Sequence, residues 1–101
     1  MPFVKGIDVS VYDPVVNWAK VREQGYRFVF VRSSYGVDNK MTIKDTMFDS
    51  HWAGSKAAGL VRGAYHYLKA KEDGKTQAVE VLKIVKPEAT DLPIALDLEE
   101  Y

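Results

Sequence analysis

Short apolar runs alternate with stretches of helical period along this chain of 101 residues. Residues 3–9 read as a strand, and Asp13-Pro14 follows as an N-cap with proline in the first helical turn. The helix opened there carries Val15, Trp18, Ala19 and Val21 on its buried side and stops at Gly25. Arg27-Phe28-Val29-Phe30-Val31-Arg32 is a second strand with an apolar interior, the pattern of a strand covered on both faces. Residues 33–42 form a polar loop, a second helix spans 45–58 and ends at Gly59, and residues 60–68 make a third strand. Ala78, Val81, Leu82 and Val85 recur at i, i+3, i+4 and i+7, which predicts a third helix closed by Pro87. Residues 93–101 are a fourth strand, ending in acids.

Four strands separated by three helices are the signature of βαβ units, so the pattern predicts an α/β fold with a parallel sheet. Functional groups in such folds gather at the carboxyl ends of the strands. The last strand places Asp97 and Glu99 two residues apart on one face, opposite Ile94, Leu96 and Leu98. That spacing is roughly 6.5–7 Å, so one element brings two carboxylates into one small volume. Like charges that close raise one pKa, which lets one carboxyl act as an acid while its neighbour stays ionised.

The other strands also end in polar groups. Gly6-Ile7-Asp8-Val9-Ser10 puts Gly6, Asp8 and Ser10 on one face, adding a third carboxylate. Val31-Arg32-Ser33-Ser34-Tyr35-Gly36 offers a cation, hydroxyls and an aromatic ring, and Gly63-Ala64-Tyr65-His66-Tyr67 offers rings able to stack on sugars or bases. Asp8 lies in an apolar strand and requires hydrogen-bond partners or a polar cavity. Tyr65 and Tyr67 share a face, either as core aromatics or as a stacking surface. His66 points the other way, toward the helices, and reads as a satisfied core histidine. Arg32 reads either as a substrate clamp or as a structural partner of an acid. Trp18 and Trp52 fall in helices as packing residues, and Asp45 reads as a helix cap.

Fourteen basic and fourteen acidic side chains cancel, so the chain carries no electrostatic footprint for nucleic acid or anionic lipid. No apolar stretch approaches the ~20 residues that cross a bilayer. The absence of cysteine excludes disulfides and thiolate metal sites, and neither His51 nor His66 sits in a zinc-type spacing, so no metal or cofactor is expected. A nucleotide enzyme is disfavoured by the lack of a glycine-rich phosphate loop. Met1-Pro2-Phe3-Val4-Lys5-Gly6 is not a Sec signal, so an extracytoplasmic role implies another export route, phage release, or a leader already removed.

The motifs Gly6-Ile7-Asp8-Val9-Ser10, Phe28-Val29-Phe30-Val31-Arg32-Ser33-Ser34-Tyr35-Gly36, Ala58-Gly59-Leu60, Gly63-Ala64-Tyr65-His66-Tyr67, Gln77-Ala78 and Leu96-Asp97-Leu98-Glu99 occur in that order. Together they resemble glycoside hydrolase family 25, the Chalaropsis-type lysozymes or N-acetylmuramidases, over essentially the whole chain. The resemblance implies a TIM-barrel-like fold, here about four parallel strands with three intervening helices, forming the N-terminal part of the catalytic domain over residues 1–101. It implies cleavage of the β-1,4 bond between N-acetylmuramic acid and N-acetylglucosamine in peptidoglycan, outside the cytoplasm. Glu99 is then the general acid, Asp97 assists on the other side of the reaction, and Asp8 lies in the same acidic groove. Tyr65 lines the sugar site, with Ser10 and Arg32 as further candidate substrate contacts.

Those roles match the chemistry of glycoside cleavage, in which an acid protonates the leaving oxygen while an anion stabilises an oxocarbenium-like centre. Asp97 and Asp8 beside Glu99 would raise its pKa and keep it protonated near neutral pH. The departure from the family is length. Its barrels run to nearly twice this span, and a further aspartate and later aromatics have no counterpart here. Half a barrel leaves both sheet edges unpaired, so the chain is expected either to associate with a second copy or a complementing fragment, or to be a truncated gene product. The competing reading is a truncated, non-catalytic peptidoglycan-binding or assembly module.

Overall fold

A computed structural model of the chain describes residues 4–36, 42–69 and 73–98. Within these, the elements in order are β1 (Lys5–Val9), α1 (Trp18–Glu23), β2 (Tyr26–Tyr35), β3 (Ile43–Lys44), α2 (Phe48–Ala57), β4 (Val61–Tyr67), α3 (Gly74–Ile84) and β5 (Ala95–Asp97). The sheet runs β1-β2-β4-β5, with every one of these neighbours parallel. The predicted α/β class and parallel four-strand order are therefore those of the molecule. The two-residue β3, antiparallel to the end of β2 through Ser34↔Lys44 and Tyr35↔Ile43, has no counterpart in the sequence reading.

One face of the sheet carries the core. Val9, Val29, Val31 and Ala64 pack there against Phe48 of α2, Val81 and Val85 at the end of α3, and Leu60, all buried. On the other face Phe28 and Phe30 are only half-buried. β2 is thus not covered equally on both sides, as its apolar run suggested. Its β-branched residues face the helices and its aromatic ones face an open trough.

Several boundaries move for identifiable reasons. Asp13 does not open a helix. Its carboxylate turns back to accept from the Ser10 N–H at 3.0 Å, which leaves Val15 92% exposed. Helix α1 begins instead behind Asn17, whose Oδ1 accepts from the Lys20 N–H at 3.1 Å. Strand β2 continues through Tyr35 because β3 and β4 pair with residues expected to be loop. Helix α2 starts at Phe48 with Met47 in the cap position, while Asp45 accepts from the Met47 N–H at 2.8 Å from two residues upstream. Gly25 and Gly59 end the first two helices at φ 96° and 85°, where an L side chain is strained.

Helix α3 shows the largest difference. Its buried stripe is Gln77, Val81 and Val85 with Ile84 half-buried, whereas Ala78 and Leu82 face solvent and Leu82 is 57% exposed. The rotation brings Gln77 Oε1 within 2.8 Å of His66 Nε2. The last strand is also shorter than predicted, ending at Asp97, and Glu99 lies outside the described residues.

Candidate functional site

Residues in register across a parallel sheet share a face, so the pairing orders the open face into layers. Gly6 lies beside Phe28, and Asp8 beside Phe30 and Gly63. Arg32 lies beside Tyr65 and Ala95, and Tyr35 beside Tyr67 and Asp97. The arrangement keeps Arg32 and Tyr35 on one face because a register shift falls between Arg32 and Ser34. The edges of the described sheet are β1 and β5, which contribute the two acids.

A cavity of about 480 Å³ runs along this face. Asp8 and Asp97 line it from the two edge strands, Phe28 and Phe30 form its floor, and Tyr65 stands between them. Glycine shapes that floor. A Cβ at Gly6 would overlap the Phe28 ring, so only glycine lets the ring lie across β1. The two phenylalanine rings meet edge to face, with centroids 6.3 Å apart.

Burial of Tyr65 is the main reason its hydroxyl pKa is pushed up to about 12. The charges of Asp8, Asp97 and Asp45 act in the same direction and that of Arg32 opposes them. The phenol therefore keeps its proton near neutral pH and is able to donate a hydrogen bond. A groove with two carboxylates, a protonated phenol and aromatic flooring suits a neutral polyhydroxylated ligand better than a phosphate ester.

Ser10 is buried and engaged in its own turn. Its Oγ accepts from the Tyr12 N–H at 3.2 Å, and its carbonyl lies 3.2 Å from His51 Nε2. Its hydroxyl is not part of the cavity lining. Arg32 donates from Nε to Asp45 Oδ2 at 2.8 Å, and its guanidinium lies between the rings of Tyr12 and Tyr35. His66 is fully buried between Ser34 Oγ at 2.9 Å and Gln77 Oε1, a satisfied core histidine as its face indicated. Trp18 packs edge-on to His51 and Trp52 stacks on Phe48, both as packing residues.

Two polar centres were not legible as such. Asp45 is more than a cap. Its side chain is fully buried and bonds to the Val11 N–H, Arg32 and the Met47 N–H, tying the loop after β1 to β2 and α2. Arg62 is buried beneath the sheet in a pair with Asp91 at 2.9 Å, with its guanidinium over Trp52. Their only sequence signals were a charge inside an apolar strand, for Arg62, and an acid just ahead of a helix, for Asp45.

Parallel strands with connecting helices on one face, and acids lining the other, are the arrangement of part of a β/α barrel. The profile of "Glycosyl hydrolases family 25" matches residues 7–101, and the chain belongs to that family. The uncharacterized protein YegX of Escherichia coli K12 is 35% identical over 102 residues, covering 96% of this chain and 36% of YegX. A family 25 glycosyl hydrolase from Bacillus anthracis superposes with a TM-score of 0.90 at 27% identity, over 98% of this chain and 44% of that one. A muramidase from Trichobolus zukalii superposes with a TM-score of 0.86 at 36% identity, over 96% and 47%. The chain thus spans about a third of the length of YegX and less than half of these solved structures.

Proposed function

We propose that this chain is the acid-bearing part of a muramidase that hydrolyses the β-1,4 bond between N-acetylmuramic acid and N-acetylglucosamine in peptidoglycan. The observation that carries the reading is the meeting of Asp8, Asp97 and Tyr65 around one open trough in a family 25 chain. The muramidase from Trichobolus zukalii, similar over nearly the whole chain, supports the substrate class.

In this reading Glu99 protonates the glycosidic oxygen as its bond to the anomeric carbon breaks. Asp97, with Asp8 nearby, stabilises the positive charge that develops on the sugar ring. Water then adds to the anomeric carbon and returns a proton to Glu99, which restores the acid. Tyr65, held protonated, donates to a sugar oxygen. The reaction takes place outside the cytoplasm, where the wall is, and the open face is covered there by a second copy or a complementing fragment.

Clearing of a cell-wall suspension tests the enzyme reading. The parent chain clears it, and Glu99→Gln slows clearing by about a hundred-fold or more. A second reading is a wall-binding module without catalysis, for which the aromatic floor of Phe28 and Phe30 beside Tyr65 would serve as a sugar-stacking surface. It requires wall binding with no clearing by either protein.

A further inference from the structure

Arg32 has more donors than the described residues use. Its Nε is committed to Asp45, and its side chain is only 11% exposed. Neither Nη nitrogen has an acceptor among the described residues, yet neither is a sealed, unsatisfied atom, so the fork's outer edge is the part that reaches solvent. The rings of Tyr12 and Tyr35 stand 5.5 Å and 4.8 Å from the guanidinium carbon. Tyr12 is 83% exposed, an uncommon position for a large ring with no core to fill. Arg32 is the register partner of Tyr65, so this edge adjoins the end of the trough that Tyr65 lines.

We propose that the Nη edge of Arg32, walled by Tyr12 and Tyr35, is a subsite for a neutral carbonyl oxygen, the acetamido carbonyl of an N-acetylhexosamine. A guanidinium fork offers parallel N–H donors that one carbonyl oxygen can accept together. The Asp45 carboxylate already neutralises its charge, and Asp8 and Asp97 add negative charge nearby. A carboxylate ligand would meet net repulsion there, whereas an uncharged carbonyl would not. The two phenol rings supply apolar faces for the acetamido methyl and the sugar C–H bonds. The inference rests on the trough being a sugar site.

The test is an NMR titration of the chain with triacetylchitotriose and with cellotriose, which share the β-1,4 backbone and differ in the acetamido groups. The parent should bind the acetylated sugar about ten-fold more tightly. Arg32→Lys keeps a cation beside Asp45 but gives up the fork, and Arg32→Met/Asp45→Asn removes both charges together. In both, the ratio should fall to near one while cellotriose affinity stays the same. An acetamido preference that survives in both variants, or is absent from the parent, overturns the subsite and leaves the sugar trough standing. So does a preference for N-acetylmuramic acid over N-acetylglucosamine that the variants abolish, since that assigns the fork to the lactyl carboxylate. Binding of neither trisaccharide overturns the trough reading and the subsite with it.

Discussion

Tyr65 makes a direct probe of the trough because its ionisation reports the carboxylates around it. Its hydroxyl is held up to about 12 by burial and by Asp8 and Asp97, against about 10 in an unfolded chain. The unfolded form therefore ionises first, and the stabilising difference is complete below pH 10 and is lost as pH rises toward 12. Spectrophotometric titration should show a late-ionising tyrosine in the parent that is lost in Tyr65→Phe. A second residue-scale prediction concerns Arg62 and Asp91, whose side chains are 6% and 4% exposed. Burial alone would raise the Asp91 pKa, but hydrogen bonds from Arg62 and the Glu88 N–H and the charges of Arg62 and Lys56 hold it below its ordinary value. Its contribution is present above pH ~4 and lost as pH falls through the depressed value. Arg62→Ala leaves that carboxylate buried and unpaired, at a cost of about 3–5 kcal/mol by denaturant unfolding near neutral pH, with less lost in acid.

At the scale of elements, the strands were the most legible part of the sequence because β2 is apolar on both faces, with Val29 and Val31 toward the helices and Phe28 and Phe30 toward the trough. Helix α3 was legible in existence but not in rotation. Ala78, Val81, Leu82 and Val85 fit a helical period, yet Gln77 occupies the buried stripe because His66 on β4 and the Lys69 backbone bind its side chain. A polar residue that is buried for its hydrogen bonds cannot be seen from hydropathy alone. The difference is measurable. Val81→Ala should cost about 1–3 kcal/mol, while Leu82→Ser should stay within about 0.5 kcal/mol of the parent. Equal costs would restore the stripe read from the sequence. The same blindness to tertiary partners hid the role of Asp45, whose donors lie 34 and 13 positions away in the chain as well as two residues ahead.

At the scale of the whole molecule, the sequence was legible as far as placing acids at the strand ends. Asp8 and Asp97 line one trough from its two edge strands, and the two-residue spacing that paired Asp97 with Glu99 reaches beyond the described strand. The open face carries two half-buried phenylalanines between two edge strands, a surface that favours association. Sedimentation equilibrium should find the chain larger than its 11.4 kDa monomer, and Phe28→Asp should shift it toward monomer. A soluble monomer at all concentrations would remove the association from the account. Mass analysis of wall fragments after digestion identifies the bond that is cleaved. New reducing ends of N-acetylmuramic acid should appear with the parent and none with Glu99→Gln. New ends of N-acetylglucosamine, or no new ends at all, would contradict the muramidase reading.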